Sequence, residues 1–255
     1  MEHKALPIGY EDFGEIISNN FYYVDKTLFI KELLDKKGKA NLFTRPRRFG
    51  KTLNMSMLRY FFEDTGNAEN NAQNKRFFDG LEIMSAGEKY LSHMQKYPVI
   101  SLSLKSAKQP DWELSYIMLK RQIAAEFERH HQILGKLSLI DQERFSQIEN
   151  QAGDIGIYID ALAFLSKCLH ETYGQTVIIL IDEYDVPLEN AYFNGFYQQM
   201  IDFIRSLFES ALKTNPHLYF AVITGCLRIT KESIFTGLNN LAINSIMNIS
   251  YGDSF

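Results

Sequence analysis

The triplet Gly50-Lys51-Thr52 has the residue types that bind a nucleotide phosphate and its magnesium ion. In a phosphate-binding loop, or P-loop, a strand leads through a loop into a helix that begins with Gly-Lys-Ser/Thr. Backbone N–H groups at such a helix start face the phosphates and carry the positive end of the helix dipole. Lys51 would then reach the β- and γ-phosphates, and the Thr52 hydroxyl would bind Mg²⁺.

The residues before the triplet depart from the general P-loop pattern. Arg45 occupies the position of the first glycine in that pattern, and a residue with a Cβ resists positive φ. In partial compensation, Arg45, Arg47 and Arg48 bring three cations to the phosphate site. We assign Phe49 and Leu53 to the same binding loop. Because the triplet also arises by chance, a surface loop with a helix cap is the alternative interpretation of this segment.

A second group of chemically capable residues, Asp182 and Glu183, directly follows the apolar run Val177–Ile181. Open α/β sheets bind ligands at the carboxyl ends of their strands, which is where these two carboxylates would lie. Asp182 would hold Mg²⁺, directly or through water, and Glu183 would polarise the attacking water. The alternative is a strand that ends in a charged turn.

A third apolar run, Leu218–Ile223, ends in Thr224, and Arg228 follows four residues later. A hydroxyl beside an acidic strand could sense the γ-phosphate or orient water, which we predict for Thr224. Arg228 could contact phosphate. The alternatives are a plain turn for Thr224 and a weak surface ion pair for Arg228.

The elements that position these residues follow from hydrophobic periodicity and from Gly and Pro positions. Strands are predicted at residues 40–44, 98–104, 176–181 and 218–224. Helices are predicted at residues 51–62, 112–131, 155–172 and 193–213. The polar stretch at residues 63–74 is expected to be a surface loop or a frayed helix end, and Pro187 to block immediate helix formation. Strands that alternate with long helices predict a parallel sheet covered on both faces.

Composition narrows the class of protein. The 255 residues are 45% hydrophobic and carry a net charge of −4, so a globally basic surface for nucleic acid is not expected. The two cysteines, Cys168 and Cys226, lie in apolar runs and fit buried free thiols in a reducing, cytoplasmic compartment. The longest apolar run, Val177–Ile181, is too short to span a membrane.

Several segments together resemble the bacterial and archaeal "AAA-ATPase-like" proteins. The resemblance covers nearly the whole chain, and its most specific segment is Arg45-Pro-Arg-Arg-Phe-Gly-Lys-Thr52, so Arg45 in place of glycine fits that group. The other segments are Leu6–Gly9, Tyr22–Thr27, Tyr97–Leu102, Ile181–Asp185, Ile223–Gly225 and Gly237–Asn240.

The resemblance implies an α/β fold: a P-loop NTPase three-layer sandwich with a mainly parallel central sheet, of the additional-strand, catalytic-glutamate type. ATP and Mg²⁺ are the cofactors it implies, with Lys51 and Thr52 on phosphate and metal, and Tyr23–Lys26 near the base. Residues 1–38 are expected to form a helical prelude packed on the ATPase core. Residues 39–255 are expected to form the P-loop domain.

Members of this group often continue into a C-terminal nuclease-like domain of the PD-(D/E)XK type. No such pattern is visible before Phe255, which predicts a domain truncated at its C-terminus. The leading hypothesis is an ATP-binding and hydrolysing domain that acts as a switch or motor for an attached or partner module. One alternative is a nucleotide-binding interaction module without useful hydrolysis. Another is the ATPase part of a nucleic-acid-processing protein, with Arg47 and Arg48 on backbone phosphate.

Overall fold

A computed structural model describes residues 4–226, 234–235 and 241–244. Five strands lie within these ranges: β1 Ala40–Thr44, β2 Val99–Ser103, β3 Val177–Asp182, β4 Leu218–Gly225 and β5 Leu241–Asn244. They form one sheet in the order β2-β3-β4-β1-β5, and every neighbouring pair is parallel. The additional strand β4 therefore lies between the P-loop strand β1 and the acidic strand β3, which is the predicted arrangement.

The described helices cover most of the remaining chain. The α-helices are α1 Phe13–Ser18, α2 Leu28–Lys36, α3 Lys51–Phe62, α4 Ala68–Arg76, α5 Glu88–Leu91, α6 Trp112–Arg129, α7 Leu139–Glu149, α8 Ala161–Tyr173, α9 Val186–Asn194 and α10 Tyr197–Phe208. Short 3₁₀ turns lie at Glu82–Ser85, Lys105–Ala107, His131–Lys136 and Ile155–Ile157, and a π turn at Glu209–Lys213. No helix within the described ranges is both long and apolar enough to cross a bilayer.

Two hydrophobic cores lie on opposite faces of the sheet. Along β3, Ile178 and Leu180 face the core formed with α1, α2 and α3, whereas Ile179 and Ile181 face the core formed with α6, α8 and α10. Every residue of β3 is buried, as expected for a central strand of a parallel sheet with helices on both sides. The predicted α/β sandwich is therefore confirmed.

The register of the sheet aligns the carboxyl ends of its strands. Thr44 pairs with Gly225, Ile181 pairs with Ile223, and Ser103 pairs with Asp182. Because all these strands run in the same direction, the residues that follow them emerge at one edge. This edge carries the P-loop, the acidic pair and the end of β4.

The predicted helix at residues 51–62 is confirmed as α3. It buries Met57, Leu58, Phe61 and Phe62 against the sheet, and it ends before Glu63, whose backbone is extended. This helix fixes the first two residues of the site, because Lys51 begins it.

Two predicted helices are wrong in extent. The segment predicted as one helix at residues 193–213 is split at Gly195, whose φ of 82° ends α9, and α10 begins at Tyr197. The helix predicted from Ile155 begins as a 3₁₀ turn, and α8 starts only at Ala161. The left-handed backbone at Gly195 favours glycine and stops a continuous α-helix.

Two further local predictions are also wrong. The stretch at residues 63–74 contains the start of α4, capped by Asn67, whose side chain accepts hydrogen bonds from the Glu69 and Asn70 backbone. None of the residues of α4 is buried, so the apolar periodicity that marks a helix was missing. Pro187 lies in the first turn of α9, where its missing N–H costs no intrahelical bond.

The N-terminal helices pack on the sheet. Phe13 of α1 and Phe29 of α2 are fully buried in the core that contains α3. Asp12 caps α1 and also accepts hydrogen bonds from Ser56 at 2.9 Å and Tyr60 at 3.1 Å, so the start of α1 is tied to α3. The domain boundary at residue 38 stays a prediction.

The edge strand β2 is covered by side chains of α6. The Ser101 N–H donates to Glu126 at 2.8 Å, Arg129 donates to the Val99 carbonyl, and a His130 ring nitrogen lies 3.1 Å from that oxygen. Backbone groups that would otherwise be left unpaired at the edge of the sheet therefore have side-chain partners.

Candidate functional site at the carboxyl edge of the sheet

The P-loop leaves β1 and turns into α3 through left-handed backbone. Arg48 and Gly50 have φ values of 68° and 72°, and Gly50 occupies the N-cap position of α3. This conformation suits glycine and is unusual for arginine. The loop therefore presents the start of α3 to the space above the sheet, as the sequence predicted for a phosphate site.

Lys51 points back at its own loop. Its Nζ donates to the carbonyl oxygens of Arg45 at 3.0 Å and Pro46 at 2.8 Å, and lies 3.4 Å from the Cys226 sulfur. The lysine is 7% exposed. A buried ammonium needs such acceptors, and anionic oxygens could take their place.

Arg45 has a different environment from the other loop arginines. It is buried, and its guanidinium donates to the carbonyl oxygens of Thr44 at 3.1 Å and Asn244 at 2.9 Å, which links β1 to β5. Burial lowers its pKa. Arg47 and Arg48, by contrast, line the cavity described below. A phosphate contact by Arg45 stays a prediction.

Asp182, the last residue of β3, links that strand to α3 and to β4 at the centre of the site. Its Oδ2 accepts a hydrogen bond from the Thr52 hydroxyl at 2.7 Å, and its Oδ1 accepts from the Thr224 hydroxyl and from the Glu183 N–H. Asp182 is 6% exposed and Thr224 is fully buried. The residues predicted from three separate motifs are therefore brought together.

Glu183 has a strained backbone and a perturbed carboxyl. Its φ is 54°, which is a left-handed conformation. Non-glycine residues rarely adopt this conformation, and those that do often lie at functional sites. Burial raises the pKa of its carboxyl, the charge of Asp182 raises it further, and the cations of Lys105 and Lys51 act in the opposite direction. A carboxyl held in this way is a candidate proton acceptor.

A cavity of about 940 Å³ is lined by Lys51, Thr52 and Glu183, but not by Asp182 or Thr224. Its volume lies within the range of about 300–1,000 Å³ found for small-molecule sites. The predicted residues that line it are Arg47, Arg48, Gly50, Lys51, Thr52, Leu53 and Glu183. The remaining lining residues are Pro7, Ile8, Gly9, Tyr10, Glu11, Lys105, Lys108, Val186 and Cys226.

Sequence reasoning missed Glu11 and Lys105. Lys105 directly follows Leu104, whose N–H donates to the Asp182 carbonyl oxygen at 3.0 Å, so it lies at the carboxyl edge beside β3. Its Nζ is 3.2 Å from Glu11 Oε1. Lys105 could have been predicted as a site residue from its position just after a predicted strand. The position of Glu11 could not, because it depends on how the N-terminal segment folds back.

A second, smaller pocket of about 360 Å³ adjoins the first and is mostly apolar. It shares Pro7, Arg48, Gly50 and Leu53 with the larger cavity. Its other lining residues are Ile16, Tyr22, Tyr23, Val24, Lys26, Phe49 and Asn54. Phe49 of the P-loop therefore lines the apolar pocket and not the larger cavity, and its contact with nucleotide stays a prediction. Arg228 lies outside the described residues.

A known protein family matches most of the chain. The sequence model of the family described as "Predicted AAA-ATPase" matches residues 7–235, which include the P-loop, the acidic pair and Thr224. The chain belongs to the Predicted AAA-ATPase family. Membership of this AAA-ATPase-like family implies nucleotide binding.

One curated relative of this AAA-ATPase-like chain is described as "Uncharacterized protein in vnfD 5'region", from Azotobacter chroococcum mcd 1. It is 30% identical over 246 residues, which cover 94% of this chain and 41% of the relative. The chain thus spans less than half the length of that protein. No solved structure matches the chain.

Proposed function

We propose that this chain binds ATP with Mg²⁺ at the carboxyl edge of its sheet and hydrolyses the γ-phosphate. The observation that supports this most strongly is the 2.7 Å hydrogen bond between the Thr52 hydroxyl and Asp182 Oδ2. In P-loop enzymes, a loop hydroxyl and a carboxylate from a neighbouring strand hold one metal ion. The two groups already lie close enough to share it.

Positive charge in the cavity supports phosphate binding. Among its lining residues, the cations outnumber the carboxylates five to two: Arg47, Arg48, Lys51, Lys105 and Lys108 against Glu11 and Glu183. The N–H groups at the start of α3 add a partial positive charge at the same place. Lys51 would exchange the carbonyl oxygens of Arg45 and Pro46 for phosphate oxygens, which are stronger acceptors.

The metal-binding residues would be Thr52 and Asp182. Hydroxyl and carboxylate oxygens are suitable Mg²⁺ ligands, and a site of this kind takes its other ligands from phosphate and water. When bound, Mg²⁺ supplies charge neutralisation at the β- and γ-phosphate oxygens. Thr224 orients Asp182 from behind through its hydrogen bond to Oδ1.

Glu183 is the residue we assign to water activation. It lines the cavity next to Asp182, and its half-buried carboxyl has a raised pKa, which makes it a better proton acceptor than an exposed glutamate. Asp182 would thus bind the metal ion, and Glu183 would accept a proton from the attacking water.

The apolar pocket beside the P-loop is the proposed base site. Tyr22, Tyr23 and Phe49 supply aromatic surface there, and a purine ring can stack on such faces. Tyr22 is 53% exposed and Phe49 is 47% exposed, which gives a ligand access to both rings. The pocket shares four residues with the phosphate cavity, as one nucleotide that occupies both would require.

We further propose that nucleotide turnover acts on an attached or partner module, such as the nuclease-like domain that the resemblance implies. The length of the Azotobacter relative beyond the matched region supports a larger assembly of this kind.

Alkylation of Cys226 tests nucleotide binding at the assigned place. Cys226 lines the cavity and its sulfur lies 3.4 Å from Lys51 Nζ, whereas Cys168 is fully buried in the core. ATP with Mg²⁺ should slow iodoacetamide labelling of Cys226, measured by mass spectrometry of the native protein. Labelling of Cys168 reports unfolding in the same sample.

The matched variant is Lys51→Ala, in which ATP should no longer protect Cys226. Equal labelling of Cys226 with and without ATP in the wild-type chain would contradict the proposal. Protection that persists undiminished in Lys51→Ala would place the nucleotide elsewhere.

A further inference from the structure

Lys105 and Glu11 form an ion pair at the mouth of the phosphate cavity, which we call the Lys105–Glu11 clasp. The ammonium lies 3.2 Å from Glu11 Oε1, and both side chains line the cavity together with Lys51 and Glu183. The proposed function counts both residues in the charge of the cavity but assigns neither of them a contact with the nucleotide.

The fold holds Lys105 beside the metal-binding acid. Ser103 is the register partner of Asp182, and the Leu104 N–H donates to the Asp182 carbonyl oxygen at 3.0 Å. Lys105 is the next residue and begins a 3₁₀ turn. Its charge is therefore close enough to act on the carboxylates of Asp182 and Glu183.

Glu11 is positioned from the other side of the cavity. It precedes Asp12, which is tied to α3 by the hydroxyls of Ser56 and Tyr60. The Phe13 N–H also donates to Ser56 at 3.0 Å. Glu11 thus reaches across to Lys105 from a point anchored on the same helix that begins with Lys51.

The clasp is an exposed pair, with 59% of the Lys105 side chain and 61% of the Glu11 side chain accessible. Exposed pairs of this type contribute little, so the ammonium can leave Glu11 at low cost. A terminal phosphate carries more than one negative charge and several acceptor oxygens, and it would compete well for the ammonium.

We propose that Lys105 is a binding residue for the terminal phosphate of the nucleotide, and that Glu11 holds its ammonium until that phosphate competes for it. This inference rests on the proposed function. It adds discrimination between ATP and ADP, because ADP lacks the terminal phosphate that Lys105 would bind. It also links the nucleotide state to the N-terminal segment that carries Glu11.

The test is the ratio of ATP to ADP affinity, measured with Mg²⁺ by calorimetric titration. Lys105→Gln should lower this ratio about tenfold, as expected for the loss of one charge-assisted contact. Glu11→Gln should raise the ratio severalfold, and this gain should vanish in the double variant, because Glu11 acts through Lys105. Both side chains are exposed, so the variants should fold.

Lys108→Gln is the control, because it removes the same charge from the same cavity three residues further from β2. It should change the ratio less than Lys105→Gln does. An equal change would mean that only overall charge matters and would overturn the inference. The inference would also be overturned if Glu11→Gln changed the affinities for ATP and ADP equally. It would be overturned too if the effect of Glu11→Gln on the affinity ratio persisted in the double variant with Lys105→Gln.

The two proposals fail in different ways. If the wild-type chain binds no ATP, the proposed function fails and this inference fails with it. If the wild-type chain binds ATP and Lys51→Ala does not, while Lys105→Gln leaves the ratio unchanged, only the inference about Lys105 is wrong.

Discussion

Asp182 is the residue on which the site depends. It is a buried carboxylate, and a buried charge is tolerated only when hydrogen-bond donors satisfy it. Its donors come from the hydroxyls of Thr52 and Thr224 and from the Glu183 backbone. The same contacts that stabilise the acid also hold it in position for a metal.

Removing the Thr224 hydroxyl should therefore destabilise the protein. Thr224→Val keeps the side-chain shape but removes one hydrogen-bond donor to Asp182. This loss should lower the free energy of unfolding by about 1–3 kcal/mol. The free energy of unfolding from urea titration measures this. Thr214→Val is the matched control on the surface and should change it by less than about 0.5 kcal/mol. Equal effects of the two substitutions would count against a donor role for Thr224.

Glu183→Gln should separate binding from turnover. The amide keeps the size of the side chain but cannot accept a proton, so phosphate release should fall by about 10²-fold or more. ATP affinity should change little, because Glu183 is not assigned to phosphate or metal. Phosphate release and calorimetric binding on the same preparation give both numbers. Undiminished turnover would mean that another group activates water, and slow turnover already in the wild-type chain would favour a binding module.

At the scale of elements, the edge strand β2 depends on α6. Glu126 is buried, and burial alone would raise the pKa of its carboxyl. The charge of Arg129 and hydrogen bonds from His130 and Arg129 outweigh burial and lower the pKa to about 2. The ionised carboxylate also accepts the Ser101 N–H of β2. The ionisation of Glu126 is therefore coupled to the hydrogen bond that holds the edge strand β2.

This coupling predicts how stability depends on pH. Because the folded pKa of Glu126 lies below its ordinary value of 4.5, its contribution is present above about pH 4.5 and is lost as the pH falls towards 2. Glu126→Gln should lower the free energy of unfolding by about 3–5 kcal/mol at pH 7, because it removes a buried carboxylate partner of Arg129.

Denaturant titration at several pH values measures the effect. The difference between Glu126→Gln and the wild-type chain should shrink as the solution is acidified through that window. Glu143→Gln, at an exposed position, should lower stability by less than about 0.5 kcal/mol at every pH. A difference that is constant with pH would show that the ionised carboxylate does not hold the edge.

At the scale of the whole molecule, the features that could be predicted from the sequence are those that depend on local patterns of residues. The strands around the P-loop and the acidic pair, and the helix that begins at Lys51, follow from runs of apolar residues and their period. Thr52 and Asp182 were both predicted to bind Mg²⁺ at the carboxyl edge of a parallel sheet, which requires that the two residues lie close together. Their 2.7 Å hydrogen bond confirms this proximity.

What the sequence could not predict depends on tertiary contacts or on polar surfaces. Glu11 reaches the site only because the N-terminal segment folds back on α3, which no local pattern encodes. The helix α4 buries none of its residues, so it has no apolar stripe to recognise. The hydrogen bond from Arg45 to the Asn244 carbonyl oxygen could not be predicted either, because it joins residues far apart in the chain.

The most direct test of the central claim is the affinity for ATP with and without Mg²⁺, measured by calorimetric titration. The wild-type chain should bind one ATP, more tightly with Mg²⁺. Lys51→Ala should weaken binding strongly, whereas Lys75→Ala, which removes an exposed lysine of α4, should not. Asp182→Asn should abolish the gain from Mg²⁺. Binding that is indifferent to Mg²⁺, or equal in the wild-type and Lys51→Ala chains, would contradict a shared phosphate and metal site.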